Sequence, residues 1–141
     1  MRKQAVLLVV VLLSLTSCGD TNSRPGQTET LTGTLTGKWQ VVAARAGDED
    51  ITDLYQGYVI EFTRDGGYTI VNPTGSAPNP NRNNESDFGF WTTNTDNSIT
   101  LDQAILMQIL GGLSRERIQF QWDVTVLGKG TVTYHWDIVP L

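Results

Sequence analysis

From Ile118 to Ile138 the chain alternates apolar and polar residues with a period of two. Ile118, Phe120, Trp122, Val124 and Val126 share one face, and Arg117, Gln119, Gln121, Asp123 and Thr125 share the other. Val132, Tyr134, Trp136 and Ile138 then repeat the pattern. Only extended backbone sends every second side chain to one side, so both runs are predicted as strands. Gly128-Lys129-Gly130 lies between them, and its glycines tolerate the positive φ of a tight turn. The two strands are therefore predicted to be antiparallel neighbours.

The same periodicity runs back toward residue 35. Trp39, Val41 and Ala43 alternate with Lys38, Gln40 and Val42, and Tyr58, Ile60 and Phe62 alternate with Val59, Glu61 and Thr63. Arg64-Asp65-Gly66-Gly67 supplies a second hairpin turn leading into Tyr68-Thr69-Ile70-Val71. Asn72 to Asp87 holds three prolines and five asparagines in sixteen residues and reads as one long excursion. Phe88–Thr92 and Ser98–Leu101 are short strands separated by the turn-rich Asn94-Thr95-Asp96-Asn97. In Asp102–Gly112, Asp102 is a helix-cap residue type and Gly111 a helix stop, yet Ile105, Met107 and Ile109 alternate; the segment is read as a strand. About eight strands in succession make an all-β, up-and-down antiparallel sheet, and eight suffice to close a β-barrel.

The first eighteen residues are of a different kind. Arg2 and Lys3 precede nine apolar residues, Ala5 to Leu13, followed by Ser14-Leu15-Thr16-Ser17. Nine helical residues span roughly 14 Å, short of the roughly 18 residues a membrane span requires, so the run is predicted to be an export signal. Leu15-Thr16-Ser17-Cys18 resembles the bacterial lipoprotein signal box, in which an aliphatic and two small residues precede a cysteine that becomes the new N-terminus. The resemblance implies cleavage before Cys18, the only cysteine of the chain, and a lipid anchor on its thiol. Gly19 in the next place, with Asp20 one place later, matches the usual inner-membrane retention signal poorly, which points to the outer membrane. Gly19 to Thr34 has one apolar side chain, Leu31, in sixteen residues and reads as a flexible tether. The expected division is a signal peptide at 1–17, a lipidated tether at 18–34 and a barrel domain at 35–141.

Thr36-Gly37-Lys38-Trp39-Gln40-Val41 resembles the glycine-any-tryptophan signature of lipocalins, in which the tryptophan closes the bottom of the barrel. Gly57–Tyr68, Gly89-Phe90-Trp91, Leu110 and Leu113-Ser114, taken together, are similar to the small lipocalin-like lipoprotein domains of Bacteroidetes-type bacteria. The resemblance implies a lipocalin-like barrel over about residues 35–141 and a small hydrophobic ligand. The chain departs from lipocalins in lacking a basic residue just after Trp136 and a Thr-Asp-Tyr segment.

All twelve aromatic residues lie between Trp39 and Trp136. Trp39, Phe62, Tyr68, Trp91, Phe120, Trp122, Tyr134 and Trp136 are the candidate interior set. They either fill a small barrel outright or line an apolar cup, with Tyr and Trp polar atoms orienting a ligand. In the second case the protein carries a small hydrophobic molecule. In the first, the loops, chiefly Asp48–Tyr55 and Asn72–Asp87, bind an envelope protein or glycan on a packed scaffold. A net charge of -5 offers no basic stripe for nucleic acid.

Catalysis has little support in the sequence. His135, the only histidine, shares a strand face with Asp137 two residues on, but no nucleophile motif accompanies the pair. Asp48, Glu49, Asp50 and Asp53 are oxygen-bearing but lack EF-hand spacing, and read as a solvated loop. Asn84-Glu85-Ser86 matches the N-glycosylation triplet, which in a bacterial lipoprotein is a chance match. No enzyme, metal or cofactor is expected.

Overall fold

The computed structural model describes residues 26–81 and 87–141. The expected signal peptide, Cys18, the expected tether up to residue 25 and the Asn84-Glu85-Ser86 triplet lie outside the described residues. No helix among the described residues is long and apolar enough to cross a membrane.

The chain forms α1 (Gly26–Leu35), β1 (Gly37–Ala46), the short β2 (Glu49–Asp50), a 3-10 turn (Thr52–Tyr55), β3 (Val59–Phe62), β4 (Gly67–Val71), β5 (Phe88–Thr93), β6 (Ser98–Leu101), β7 (Ile105–Leu110), β8 (Ile118–Val126) and β9 (Gly130–Pro140). Every pairing is antiparallel, each strand from β3 onward pairs with the next, and β9 returns to β1. Eight strands thus close an up-and-down barrel, with β2 a two-residue ribbon folded onto β1. Closure leaves the eight strands without a free edge.

The C-terminal hairpin follows the alternation. Ile118 pairs with Ile138, Phe120 with Trp136 and Trp122 with Tyr134, all buried, while Gln119 faces Asp137 and Gln121 faces His135 on the outer side. Gly128 and Gly130 take positive φ of 78° and 81° at the turn. Ile105–Leu110 is a strand, with Met107 and Ile109 buried and Leu106 outward.

One strand departs from simple alternation. The register of β1 against β9 slips between Val41 and Ala43, so that Val42 is the extra residue of a β-bulge. Val42 is consequently exposed, and Ala44 rather than Ala43 is the buried residue, opposite Trp136. A methyl group is all that the position beside this indole requires.

The larger departure is at the N-terminal end. The expected tether reaches residue 34, yet Gly26–Leu35 is helical, and its Leu31 and Leu35 are buried in the core. Leu31, Leu35 and Trp39 follow one another at intervals of four. The helix delivers its two leucines to the barrel core, and its last carbonyl, Leu35 O, accepts the Trp39 indole N–H at 2.6 Å. The folded unit therefore begins well before residue 35.

The expected excursion from Asn72 folds back over the opposite mouth as far as it is described. Ala77 and Asn81 are buried, and Asn72 Nδ2 donates to Ala77 O at 3.1 Å. Two interior phenols hold this segment: Tyr55 Oη donates to Pro78 O at 2.6 Å and Tyr58 Oη to Asn79 Oδ1 at 2.8 Å.

Candidate functional site

All eight candidate interior aromatics are buried. Tyr55 and Tyr58 join them; Tyr55 was absent from the candidate set because it comes from the 3-10 turn rather than from a strand. Trp136 sits edge-to-face with Tyr55, Tyr58 and Trp122 at centroid distances of 5.6, 5.3 and 4.6 Å. Trp122 stacks on Tyr134 at 5.3 Å, and Phe62 meets Trp91 at 5.1 Å. These separations are those of rings in contact with each other.

The polar handles of these rings are also engaged by the protein. Trp91 Nε1 donates to Thr63 O at 3.0 Å and Tyr68 Oη to Asp102 Oδ2 at 2.6 Å, in addition to the bonds of Trp39, Tyr55 and Tyr58. Burial, followed by the bond to the Asp102 carboxylate, pushes the Tyr68 phenol above its ordinary range, and burial does the same for Tyr58. Both phenols therefore remain donors at neutral pH. The Trp136 Nε1 donor is buried with no hydrogen-bond partner among the described residues, and its neighbours there are three aromatic rings.

Recesses of about 260 to 460 Å³ lie around this core. Each touches at most two of the eight aromatics, and their other walls are mostly helix, turn or outward-facing residues. One, of about 340 Å³, lies on the wall formed by β7, β8, β9 and β1, with Arg45, Asp48, Leu110, Gln119, His135 and Asp137 in its lining. It includes the histidine and aspartate singled out in the sequence. Asp137 Oδ2 there faces Arg117 Nη2 at 3.4 Å rather than the imidazole.

Two aromatics face outward. Phe88 and Phe90 on β5 are 62% and 73% exposed, because Gly89 and Trp91 take the inward positions. The acidic loop is locally engaged: Arg45 Nη2 donates to Asp48 O at 3.2 Å and Asp50 Oδ1 accepts from Thr52 N at 2.9 Å. The Thr52 contacts hold the Asp50 carboxyl below its ordinary range. Among the described residues no three acidic, histidine or cysteine side chains converge on one point. No protein-family model matches the chain, and a search of curated proteins finds no significant match.

Proposed function

We propose that this chain is a non-enzymatic, lipocalin-like binding module of the cell envelope, held on the outer membrane by lipid at Cys18, whose barrel is a packed scaffold and whose partner docks on the outside. The observation that carries the reading is the interior itself. Ten aromatic side chains are buried, six ring pairs lie within 4.6 to 5.6 Å, and the polar atoms of five of those rings are bonded to the protein. A hydrophobic ligand held inside would have to displace these rings. α1 at one end and the Asn72–Asn81 segment at the other cover the approaches. The outer wall, by contrast, presents a recess of mixed polar and apolar lining and two exposed phenylalanines.

The anchor half of the reading is supported by Leu15-Thr16-Ser17-Cys18, and the charge fits it. Removal of Arg2 and Lys3 with the signal leaves 8 basic against 15 acidic residues, a net of -7, so the module gains nothing from anionic head groups and depends on covalent lipid for attachment. Two or more acyl chains hold it there, at ~0.8 kcal/mol per buried methylene. In an exporting host, Cys18→Ser is expected to move the protein from the membrane to the soluble fraction. A fluorescent fatty acid offered to that soluble form is expected to gain no saturable emission. Continued membrane attachment of Cys18→Ser would overturn the anchor, and saturable uptake of the probe would restore the carrier reading.

A further inference from the structure

The eight barrel strands are of two kinds. β4, β5, β6 and β7 are consecutive around the barrel and contain no charged residue. By contrast, β1 carries Lys38 and Arg45, β3 Glu61, β8 Asp123, and β9 His135 and Asp137. Strand alternation turns these side chains outward, so the barrel has one charged wall and one uncharged wall.

The uncharged wall also carries exposed apolar surface. Val71, Phe88, Phe90 and Leu106 are each more than half exposed. Register places Thr69 beside Phe88 and Gly67 beside Phe90, with Thr92, Thr100 and Leu106 in a row across β5, β6 and β7. Gly67 has no side chain to cover the Phe90 ring. Asp102, which follows β6, has both carboxylate oxygens engaged by the protein: Oδ2 accepts from Tyr68 Oη at 2.6 Å and Oδ1 from Phe90 N at 2.9 Å. Charge returns at the strand ends, where Arg64 and Asp65 precede β4 and Asp87 precedes β5. Two neighbouring phenylalanines on a wall without charge mark a surface that is covered in use.

The position of the chain's entry into the fold indicates what covers it. Thr30 and Leu31 of α1 share a recess with Asn94, Thr95 and Asn97 of the β5–β6 turn, and Thr32 shares one with Trp91, Thr92 and Thr93 of β5. The chain therefore joins the barrel at the end of the strand that carries Phe88 and Phe90. From Cys18 to Gly26 is a step of eight residues, which spans at most roughly 28 Å. Phe90 lies three residues from Thr93 along β5, about 10 Å, so an anchor at Cys18 reaches far enough to lay this wall on the lipid that holds it. Electrostatics favours the same orientation. The charged wall would lose hydration against a bilayer, whereas the β4–β7 wall takes no charge out of water.

We infer that the β4–β7 wall lies on the surface of the membrane that holds the anchor, with Phe88 and Phe90 inserted among the lipid headgroups. The inference rests on the anchor proposed at Cys18 and goes beyond it, because an anchor alone leaves every wall free to face the lipid. Two phenylalanines are too little to hold the module by themselves, so release of Cys18→Ser from the membrane is expected here as well.

The test uses the ¹⁵N-labelled protein from an exporting host, in phosphatidylcholine nanodiscs doped with a lipid that carries a nitroxide on its headgroup. The backbone amides of Phe88, Phe90 and Leu106 are expected to broaden at least twofold more than those of Asp123 and His135. The double variant Phe88→Glu, Phe90→Glu is expected to abolish the difference while the protein stays anchored. Phe90→Glu alone keeps the test valid where the double variant does not fold, and is expected to reduce it. Thr131→Glu, on β9 across the barrel, is expected to leave it unchanged. An anchored protein broadened equally on both walls, or more strongly on β8 and β9, would overturn the inference and leave the anchor standing. A protein without lipid that washes off the nanodiscs would overturn the anchor reading and this inference with it. A dimer of the soluble Cys18→Ser form that Phe90→Glu dissociates would assign the wall to a second copy of the chain and overturn the membrane contact.

Discussion

Trp136→Ala is expected to destabilise the barrel by about 3–5 kcal/mol, the range for deleting a large aromatic from a well-packed core. Trp136 is buried, touches Tyr55, Tyr58 and Trp122 edge-to-face, and sits on β9, which pairs on both sides with β8 and β1. Ala44 opposite it is too small to fill the space, and ladders on both sides of β9 resist collapse. Against a typical total of about 5–15 kcal/mol this loss is large, and a denaturant midpoint measurement reads it directly. The size of the effect also bears on function. An indole lining an open cup would give up fewer contacts when truncated, so a cost below ~1 kcal/mol would contradict a packed interior.

Gly89→Ala is expected to cost about 2–4 kcal/mol through overpacking and lost hydrogen bonds. A Cβ at this position would lie 2.6 Å from Tyr68 Oη and 2.7 Å from Tyr68 Cε1, and closer still to Asp102 Oδ1. These atoms form one corner of the barrel. Asp102 Oδ2 accepts from Tyr68 Oη at 2.6 Å and Oδ1 from Phe90 N at 2.9 Å, while Asp102 N donates to Phe90 O at 2.8 Å. Asp102 adopts a positive φ of 49° to make them, so its backbone has little freedom to retreat. Gly112→Ala is the control: its Cβ would meet nothing within 4 Å, and a change within about 0.5 kcal/mol is expected. Equal stability of the two variants by thermal unfolding would refute the corner as a packing constraint.

Much of the barrel was legible in the residues because strand alternation is a local signal. Ile118–Val126 and Val132–Ile138 carry it unbroken, and the register of β8 on β9 follows from the turn between them. Closure was legible only as a count of strands, since nothing local announces that β9 pairs with β1. The bulge at Val42 left no mark in an apolar run where Val41, Val42, Ala43 and Ala44 all suit a strand. The helix at Gly26–Leu35 was hidden by its own composition. Threonine and glycine are weak helix formers, so the segment is helical for the sake of burying Leu31 and Leu35, and their spacing of four up to Trp39 was the available signal.

The site was legible in part. Burial of the eight aromatics followed from alternation, but their function did not, because sequence cannot distinguish rings that face a chamber from rings that face each other. The contribution of Tyr55 depended on a 3-10 turn whose residues are not periodic. The recess beside His135 and Asp137 depends on register across four strands, so its members are scattered from Ala43 to Asp137 in the chain.

The most direct test of the central claim is native mass spectrometry of the protein from an exporting, lipid-rich host, with organic extraction of the same sample. A packed barrel predicts no stoichiometric apolar molecule in the extract and no mass beyond that of the polypeptide and any covalent modification, such as the anchor proposed at Cys18. A one-to-one apolar adduct, lost on Trp122→Ala or Phe120→Ala, would contradict it and make the barrel a carrier.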